Sequence, residues 1–259
     1  MKLISLNTWG GKIYKPLIKF IQENSKDTDI FCFQEVFKTT SDVNVRYERR
    51  MNLFKDISQI LDNHKGYFSP CLKNYAIFSR TENHKVDFNL YFGLAIFLKK
   101  DITIDSIGDF FVYGKKYIFN PSDLNTLPKN AQYLTFTSSG KKITICNLHG
   151  IWRKDGKNDS PSRLEQSRRV NRFLSKQKGE KILCGDFNLD IKTKSIEILE
   201  ENLKNLIKEY NIKTTRNKLF PGEEKYADYI FVSVGIKILN FEVPNTEISD
   251  HLPMILEFT

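Results

Sequence analysis

Four strand-like runs in this sequence stop at a residue able to bind a metal ion or move a proton. LISL ends at Asn7, DIFCF at Gln34-Glu35, ITICNL at His149 and KILCG at Asp186, with Asn188 two residues on. Two further groups precede such runs. Asp228 opens DYIFVS, and Asp250-His251 comes just before Met254–Phe258. Carboxylate and amide oxygens suit a hard divalent cation. An imidazole beside a carboxylate suits proton transfer. Side chains at the carboxyl ends of strands converge on one rim of a sheet. If the late strands run antiparallel to the early ones, their starting ends reach the same rim. Asn7, Glu35, His149, Asp186, Asn188, Asp228, Asp250 and His251 then gather in one place. Each of them alone also fits a structural role: Asn and Asp favour turns, and a lone histidine suits a hydrogen-bonded core. The ordered set is what points to chemistry.

These residues need a scaffold large enough to hold them apart in sequence and together in space. The 259 residues suffice to bury a large core without disulfides or metal staples. Hydrophobic residues make up 40% and aromatics 13%, which excludes intrinsic disorder. No apolar run approaches the roughly 18 residues of a membrane span. Lys and Arg exceed Asp and Glu by 40 to 31, giving a net charge of +9 that favours polyanions. Cys32, Cys146 and Cys184 sit inside apolar runs, where free thiols act as small hydrophobes, and no CxxC pair suggests zinc. The start, MKLISLNTW, has no signal-peptide core, so a soluble cytoplasmic protein is expected.

The hydrophobic pattern predicts many short strands and a few helices. Strands are expected at Lys2–Leu6, Asp29–Phe33, Tyr91–Leu98, Lys181–Cys184, Tyr229–Ser233, Ile236–Val243 and Met254–Phe258. Gln132–Thr137 and Lys141–Leu148, split by Ser138-Ser139-Gly140, read as a hairpin. Helices are expected over 12–24, 43–63, 162–177 and 194–210, the third capped by Ser160 or Ser162. No repeat or linker marks a boundary, so one domain spanning residues 1–259 is the expectation.

In order, LNTWG, QEVF, NLH, GDFN, ADYIFVS and SDH resemble the endonuclease/exonuclease/phosphatase superfamily, across essentially the whole chain. The resemblance implies a four-layer α/β sandwich, with two mixed, mainly antiparallel β-sheets flanked by helices. It also implies a metal-dependent phosphodiesterase, with Mg²⁺ or a substituting Mn²⁺. Glu35 is then the primary metal ligand, Asn7 supplies an amide near it, and Asp250 helps from behind the direct ligands or through water. His251 pairs with Asp228, and either His251 or Asp186, the latter held by Asn188, activates water. His149 donates to a phosphate oxygen or the leaving group. Asp87 and Glu82 are its candidate carboxylate partners.

Two features bear on substrate. The helix at 162–177 carries Arg163, Arg168, Arg169, Arg172 and Lys176, and Arg168, Arg172 and Lys176 fall on one face. That face suits a phosphate backbone, and it equally suits a solvated outer surface. Residues 108–121 read as an aromatic hairpin turning at Gly114-Lys115-Lys116, flanked by Phe110, Phe111, Tyr113, Tyr117 and Phe119. Such aromatics stack bases or enter a membrane interface, unless half of them are simply buried. Nucleic acid is thus the expected partner of a monomeric enzyme. A lipid, sphingomyelinase-like, or inositol-phosphate substrate is the alternative.

Overall fold

The computed structural model describes residues 1–46, 48–77 and 83–259. In chain order the strands are β1 (Lys2–Asn7), β2 (Ile30–Thr39), β3 (Val45–Arg46), β4 (Arg49–Arg50), β5 (His64–Lys73), β6 (Tyr75–Ile77), β7 (Asn83–Lys85) and β8 (Leu90–Lys99). They continue as β9 (Ile104–Tyr113), β10 (Lys129–Ser138), β11 (Lys141–His149), β12 (Glu180–Asp186), β13 (Lys204–Asn205), β14 (Asp228–Val232), β15 (Ile238–Glu242) and β16 (Met254–Phe258). The helices are α1 (Tyr14–Asn24), α2 (Leu53–Ile60), α3 (Pro161–Ser175), α4 (Lys194–Glu200) and α5 (Leu206–Glu209).

Two six-stranded sheets form the sandwich, in the orders β15-β16-β1-β2-β8-β5 and β13-β14-β12-β11-β10-β9. Each has one parallel pair at its centre, β1 with β2 and β11 with β12, and antiparallel pairs elsewhere. The facing sides interleave Leu3, Cys32 and Ile96 of the first sheet with Leu134, Ile145 and Cys184 of the second. Burying side chains of this size contributes roughly 1.5–3 kcal/mol each. Leu17 and Ile21 of α1, with Leu53 and Ile57 of α2, cover the outer face of the first sheet against Ile4, Phe31 and Phe33. Val170 and Leu174 of α3, Ile196 of α4 and Leu206 of α5 cover the second sheet. The expected four-layer sandwich is therefore the architecture. The four cysteines are free and buried. Among the described residues, no helix is long and apolar enough to cross a membrane.

Three segments depart from expectation. The helix expected over 43–63 begins only at Leu53; before it, β3 and β4 form a small antiparallel ribbon. The apolar spacing Met51, Phe54, Ile57, Leu61 hides this, because Met51 is buried from the ribbon side. The helix expected over 194–210 is two, α4 and α5, separated by β13. The hairpin expected at Gly114 does not form. Gly114 takes φ +64° and ends β9, whose antiparallel partner is β10 beyond residue 128. Residues 114–128 instead fold back on the sheet. There Phe119 packs edge-on against Tyr75, and the Tyr117 ring lies 6.2 Å from Tyr91.

The central parallel pairs bring strand ends together because the strands touch closely. Gly185 of β12 lies opposite Leu148 of β11 and takes φ +129°. A Cβ there would stand 2.1 Å from the Leu148 carbonyl oxygen. Gly185→Ala should therefore lower unfolding stability by about 2 kcal/mol or more. Chemical denaturation checks this, and an unchanged midpoint would contradict the packing just described.

Candidate active site

The rim formed by the carboxyl ends of β1, β11 and β12, with a bulge in the middle of β2, holds the polar set; β2 does not stop at Glu35 as expected but runs on to Thr39. Asp228 opens β14 directly opposite Asp186, in an antiparallel register. Asp250 and His251 sit just ahead of β16, which runs antiparallel to β1. The late strands thus start where the early ones end. Glu35, His149, Asp186, Asn188, Asp250 and His251 line one cleft of about 170 Å³.

Glu35 reaches the rim through a β-bulge. The pairing of β2 with β8 jumps from Phe33 opposite Ala95 to Val36 opposite Gly93. Glu35 occupies the extra place with φ +57°, a strained conformation for a glutamate. Gln34 turns inward, and its Nε2 donates to Asn147 Oδ1 of the other sheet at 2.6 Å. The hydroxyl of Thr8 donates to the carbonyls of Gln34 and Glu35 at 2.9 and 3.1 Å, fixing the bulge.

Asp186 is the centre of the polar network and is only 2% exposed. Asn7 Nδ2 donates to it at 3.0 Å, and Asn188 donates through its backbone N at 2.9 Å and its Nδ2 at 3.3 Å. Nε2 of His149 and Nε2 of His251 each lie 3.8 Å from Asp186 Oδ2. Burial works against its charge, but the positive charge of His251 and Lys157 outweighs that and holds the carboxyl well below its usual range.

His251 Nδ1 lies 2.8 Å from both oxygens of Asp228, as the sequence reading expects. Burial and Arg216 oppose its protonation. Asp228, Asp250 and Asp186 prevail and raise its pKa above the ordinary histidine value. With Nδ1 committed to Asp228, Nε2 faces the cleft as the basic atom.

His149 does not find a carboxylate partner of the expected kind. Asp87 is exposed on the surface, and Glu82 lies outside the described residues. The nearest partner of His149 Nε2 is instead the Lys129 ammonium, at 2.9 Å. An ammonium has no lone pair, so the imidazole accepts there. Burial and Lys129 together push the His149 pKa well down. Neutral His149 therefore accepts at Nε2 in this arrangement. Lys129 is the donor in this contact.

The metal-ligand expectations resolve unevenly. Asn7 Oδ1 accepts from the Trp9 backbone N at 3.0 Å while its Nδ2 serves Asp186, so Asn7 orients a carboxylate rather than offering a free oxygen. Asp250 Oδ2 is engaged by Arg216 Nη1 at 3.0 Å. Glu35 is raised by burial and then by the negative charge of Asp250. Two carboxylates pressed together at a rim of oxygen donors fit a divalent cation, which would relieve their repulsion. Asp186, Asp228 and His251 also offer atoms within 4.8 Å of one another, though the last two are committed to each other.

Of the basic residues expected to bind substrate, none lines the cleft. Arg163 is 2% exposed, and its guanidinium donates to the carbonyls of Ile151, Asn158 and Gly156 at 3.2, 2.6 and 2.8 Å. It ties down the loop after β11 and cannot meet a substrate. Arg172 Nη2 pairs with Glu165 at 2.7 Å, and Arg168 lies exposed on α3, in the outer layer.

The cleft has other cations and aromatic walls that the sequence reading missed: Arg49, Lys129 and Arg216, with Trp9, Phe92, Trp152 and Phe220. Lys129 was within reach of sequence reasoning. Counting back along the hairpin from Ser138 opposite Lys141 brings the start of β10 beside His149. Arg49 and Arg216 carry no local signal of this kind.

A model of the Endonuclease/Exonuclease/phosphatase family matches residues 4–251. The chain belongs to that family. Its members are phosphoester hydrolases that generally use a divalent metal. Among curated relatives, UPF0294 protein VV2535 of Vibrio vulnificus strain YJ016 is 29% identical over 139 residues. That match spans 51% of this chain and 45% of the relative, so the chain covers about half the relative's length. Solved structures share the fold over all of this chain. One is a family protein of Leptotrichia buccalis C-1013-b, 18% identical, with 99% of it covered and a TM-score of 0.72. Another is mannosyl-6-phosphatase Bt3783 of Bacteroides thetaiotaomicron VPI-5482, 20% identical, 99% covered, with a TM-score of 0.71. A third is humanized D. rerio TDP2, 13% identical, 98% covered, with a TM-score of 0.70.

Lys157 offers a test of the site's electrostatics. Burial, then Arg216, pushes its pKa down to about 8 from an ordinary 10.5. Between these values the unfolded chain keeps a proton that the folded chain has released, so this residue's contribution to stability rises with pH. Below pH 8 both states are protonated and the full cost is present. Wild type should therefore gain stability relative to Lys157→Gln as pH rises from 7 to 10. Urea denaturation at several pH values measures the gap, and a constant gap would contradict a buried, depressed ammonium.

Proposed function

We propose that this chain is a Mg²⁺-dependent phosphodiesterase acting on nucleic acid, with Mn²⁺ able to substitute. The carrying observation is the convergence of Glu35, Asp186 and the Asp228–His251 pair in one cleft. A bound metal supplies Lewis-acid polarisation of a phosphate oxygen. Glu35 would hold it, with Asp250 assisting through water because Arg216 already engages one of its oxygens.

The chain's own groups account for the rest of the reaction. Water attacks phosphorus and gives its proton to His251 Nε2, and Asp228 stabilises the resulting imidazolium. Asp186 stays ionised, held by Asn7 and Asn188, and orients the water from the other side. As the bond from phosphorus to the leaving oxygen breaks, the Lys129 ammonium stabilises the charge that develops.

The nucleic-acid reading rests on the +9 charge and on a cleft that alternates Trp9, Phe92, Trp152 and Phe220 with Arg49, Lys129 and Arg216. Aromatic faces stack bases and the cations meet phosphates. This pattern suits an unpaired strand or strand end. It takes the place of the helix face at Arg168 and Arg172, which lies outside the cleft. The lipid alternative keeps only the exposed Tyr117 and Ile118, because residues 114–128 pack back on the sheet through Phe119. A small sugar phosphate is the second reading. It is favoured by the limited cleft volume, with Leu124 and Leu127 among the walls, and by the fold shared with mannosyl-6-phosphatase Bt3783.

The test uses single-stranded DNA and RNA oligonucleotides, duplex DNA, sugar 6-phosphates and sphingomyelin, each with Mg²⁺ and with EDTA. Oligonucleotide cleavage is expected to require the metal. His251→Ala and Asp186→Ala should each lose about 10²–10⁴ in turnover while circular dichroism stays native. Turnover of sugar phosphates alone would move the assignment to the second reading. Full activity in EDTA, or in His251→Ala, would refute the mechanism.

A further inference from the structure

A second, smaller pocket adjoins the catalytic cleft and shares Trp152, Arg216 and Phe220 with it. Its remaining walls bring Arg153, Lys154 and Lys157 against a single carboxylate, Glu224. Four cations therefore face one anion.

Two of these cations are buried, with Lys157 and Arg216 each 7% exposed. Lys157 Nζ donates to Asn188 Oδ1 at 2.7 Å, and no carboxylate pairs with it among the described residues. The Nε groups of Arg216 and Arg153 are buried without a hydrogen-bond partner. The Arg216 guanidinium otherwise meets Asp250 and stacks on Phe220, 4.2 Å from the ring centroid. Arg216 has Asp250 as counter-charge, but a buried ammonium such as Lys157 with no paired carboxylate is costly, and an anion entering the pocket would offset that cost. The pocket is also preformed, because Arg163 ties the loop carrying Arg153, Lys154 and Lys157 through the carbonyls of Ile151, Gly156 and Asn158.

We propose that this pocket is a phosphate-binding subsite that holds a second phosphoryl group of the substrate beside the one that is cut. The proposal rests on the phosphoester-hydrolase reading above and narrows it to substrates with two phosphate groups. Guanidinium and ammonium groups together select phosphate by charge and by paired hydrogen bonds. Asn188 joins the two places, since it receives Lys157 on one side and donates to Asp186 on the other. A neighbouring phosphodiester of a strand and the second phosphate of a small bisphosphate share this chemistry.

The first arm of the test needs no turnover. Pyrophosphate is titrated calorimetrically into the metal-free protein in EDTA. The Arg153→Gln, Lys154→Gln double variant should bind it about tenfold more weakly than wild type. Lys141→Gln, at the exposed turn between β10 and β11, should bind as wild type. The second arm compares substrate pairs in Mg²⁺: a dinucleotide with and without a 5′-phosphate, and a sugar bisphosphate against its monophosphate. In the double variant KM should rise only for the two-phosphate member, with kcat held, and the pair that responds identifies the source. Undiminished pyrophosphate binding in the double variant, absent binding in wild type, or an equal KM rise for both members of each pair would overturn the subsite. Weakened pyrophosphate binding with no turnover of any substrate would keep the subsite and remove the hydrolase reading.

Discussion

An ionised carboxylate taken almost wholly out of water has to be surrounded by donors and positive charge, and Asp186 imposes that requirement on this molecule. Its partners come from both halves of the sandwich. Asn7 arrives from the end of β1 in the first sheet, Asn188 from the turn after β12 in the second, and His251 from the segment before β16. The contacts of Asn7 and His251 with Asp186 draw the rim ends of the two sheets together. A second polar contact between them, Gln34 with Asn147, sets the same alignment one step below the rim. Hydrophobic contacts between the facing sheets supply most of the stability but are not directional. The buried polar contacts choose the register.

The symmetry of the two sheets serves this purpose. A parallel pair lies at the centre of each sheet, and facing the sheets brings the carboxyl ends of β1, β11 and β12, with the bulge within β2, to one rim. Antiparallel neighbours then return their starting ends to the same place, which is how Asp228 comes to lie opposite Asp186. Residues separated by most of the sequence are thereby made adjacent.

This arrangement explains which features were legible in the sequence. Strands that end in a polar residue after an unbroken apolar run announce both their length and their business end. Asn7, His149 and Asp186 stand at such ends, and Asp228 and His251 join them as the starts of strands returning antiparallel; Glu35 reads as a strand end too, but its strand continues past it to Thr39. The pairing of Asp228 with His251 followed from the resemblance. What the sequence concealed was contact made by loops and by register. Met51 kept a helical spacing while lying in the turn between the ribbon and α2, because burial from either direction leaves the same apolar letter. Arg163 looked like one more member of a basic face, yet it sits one turn inside α3 and points at backbone carbonyls. Arg216 comes from an irregular segment with only an isolated bridge to His251, so no periodicity marks it.

The bulge at Glu35 has an evolutionary consequence. A glutamate held at φ +57° gives up backbone stability that glycine would restore at the same position. Selection for stability alone would thus favour losing this side chain. The polypeptide would keep its sandwich and fold more securely once the carboxylate was gone. Glutamate at this position therefore gives up backbone stability for a carboxylate in the cleft, and Trp9, at φ +52°, does the same for an aromatic wall.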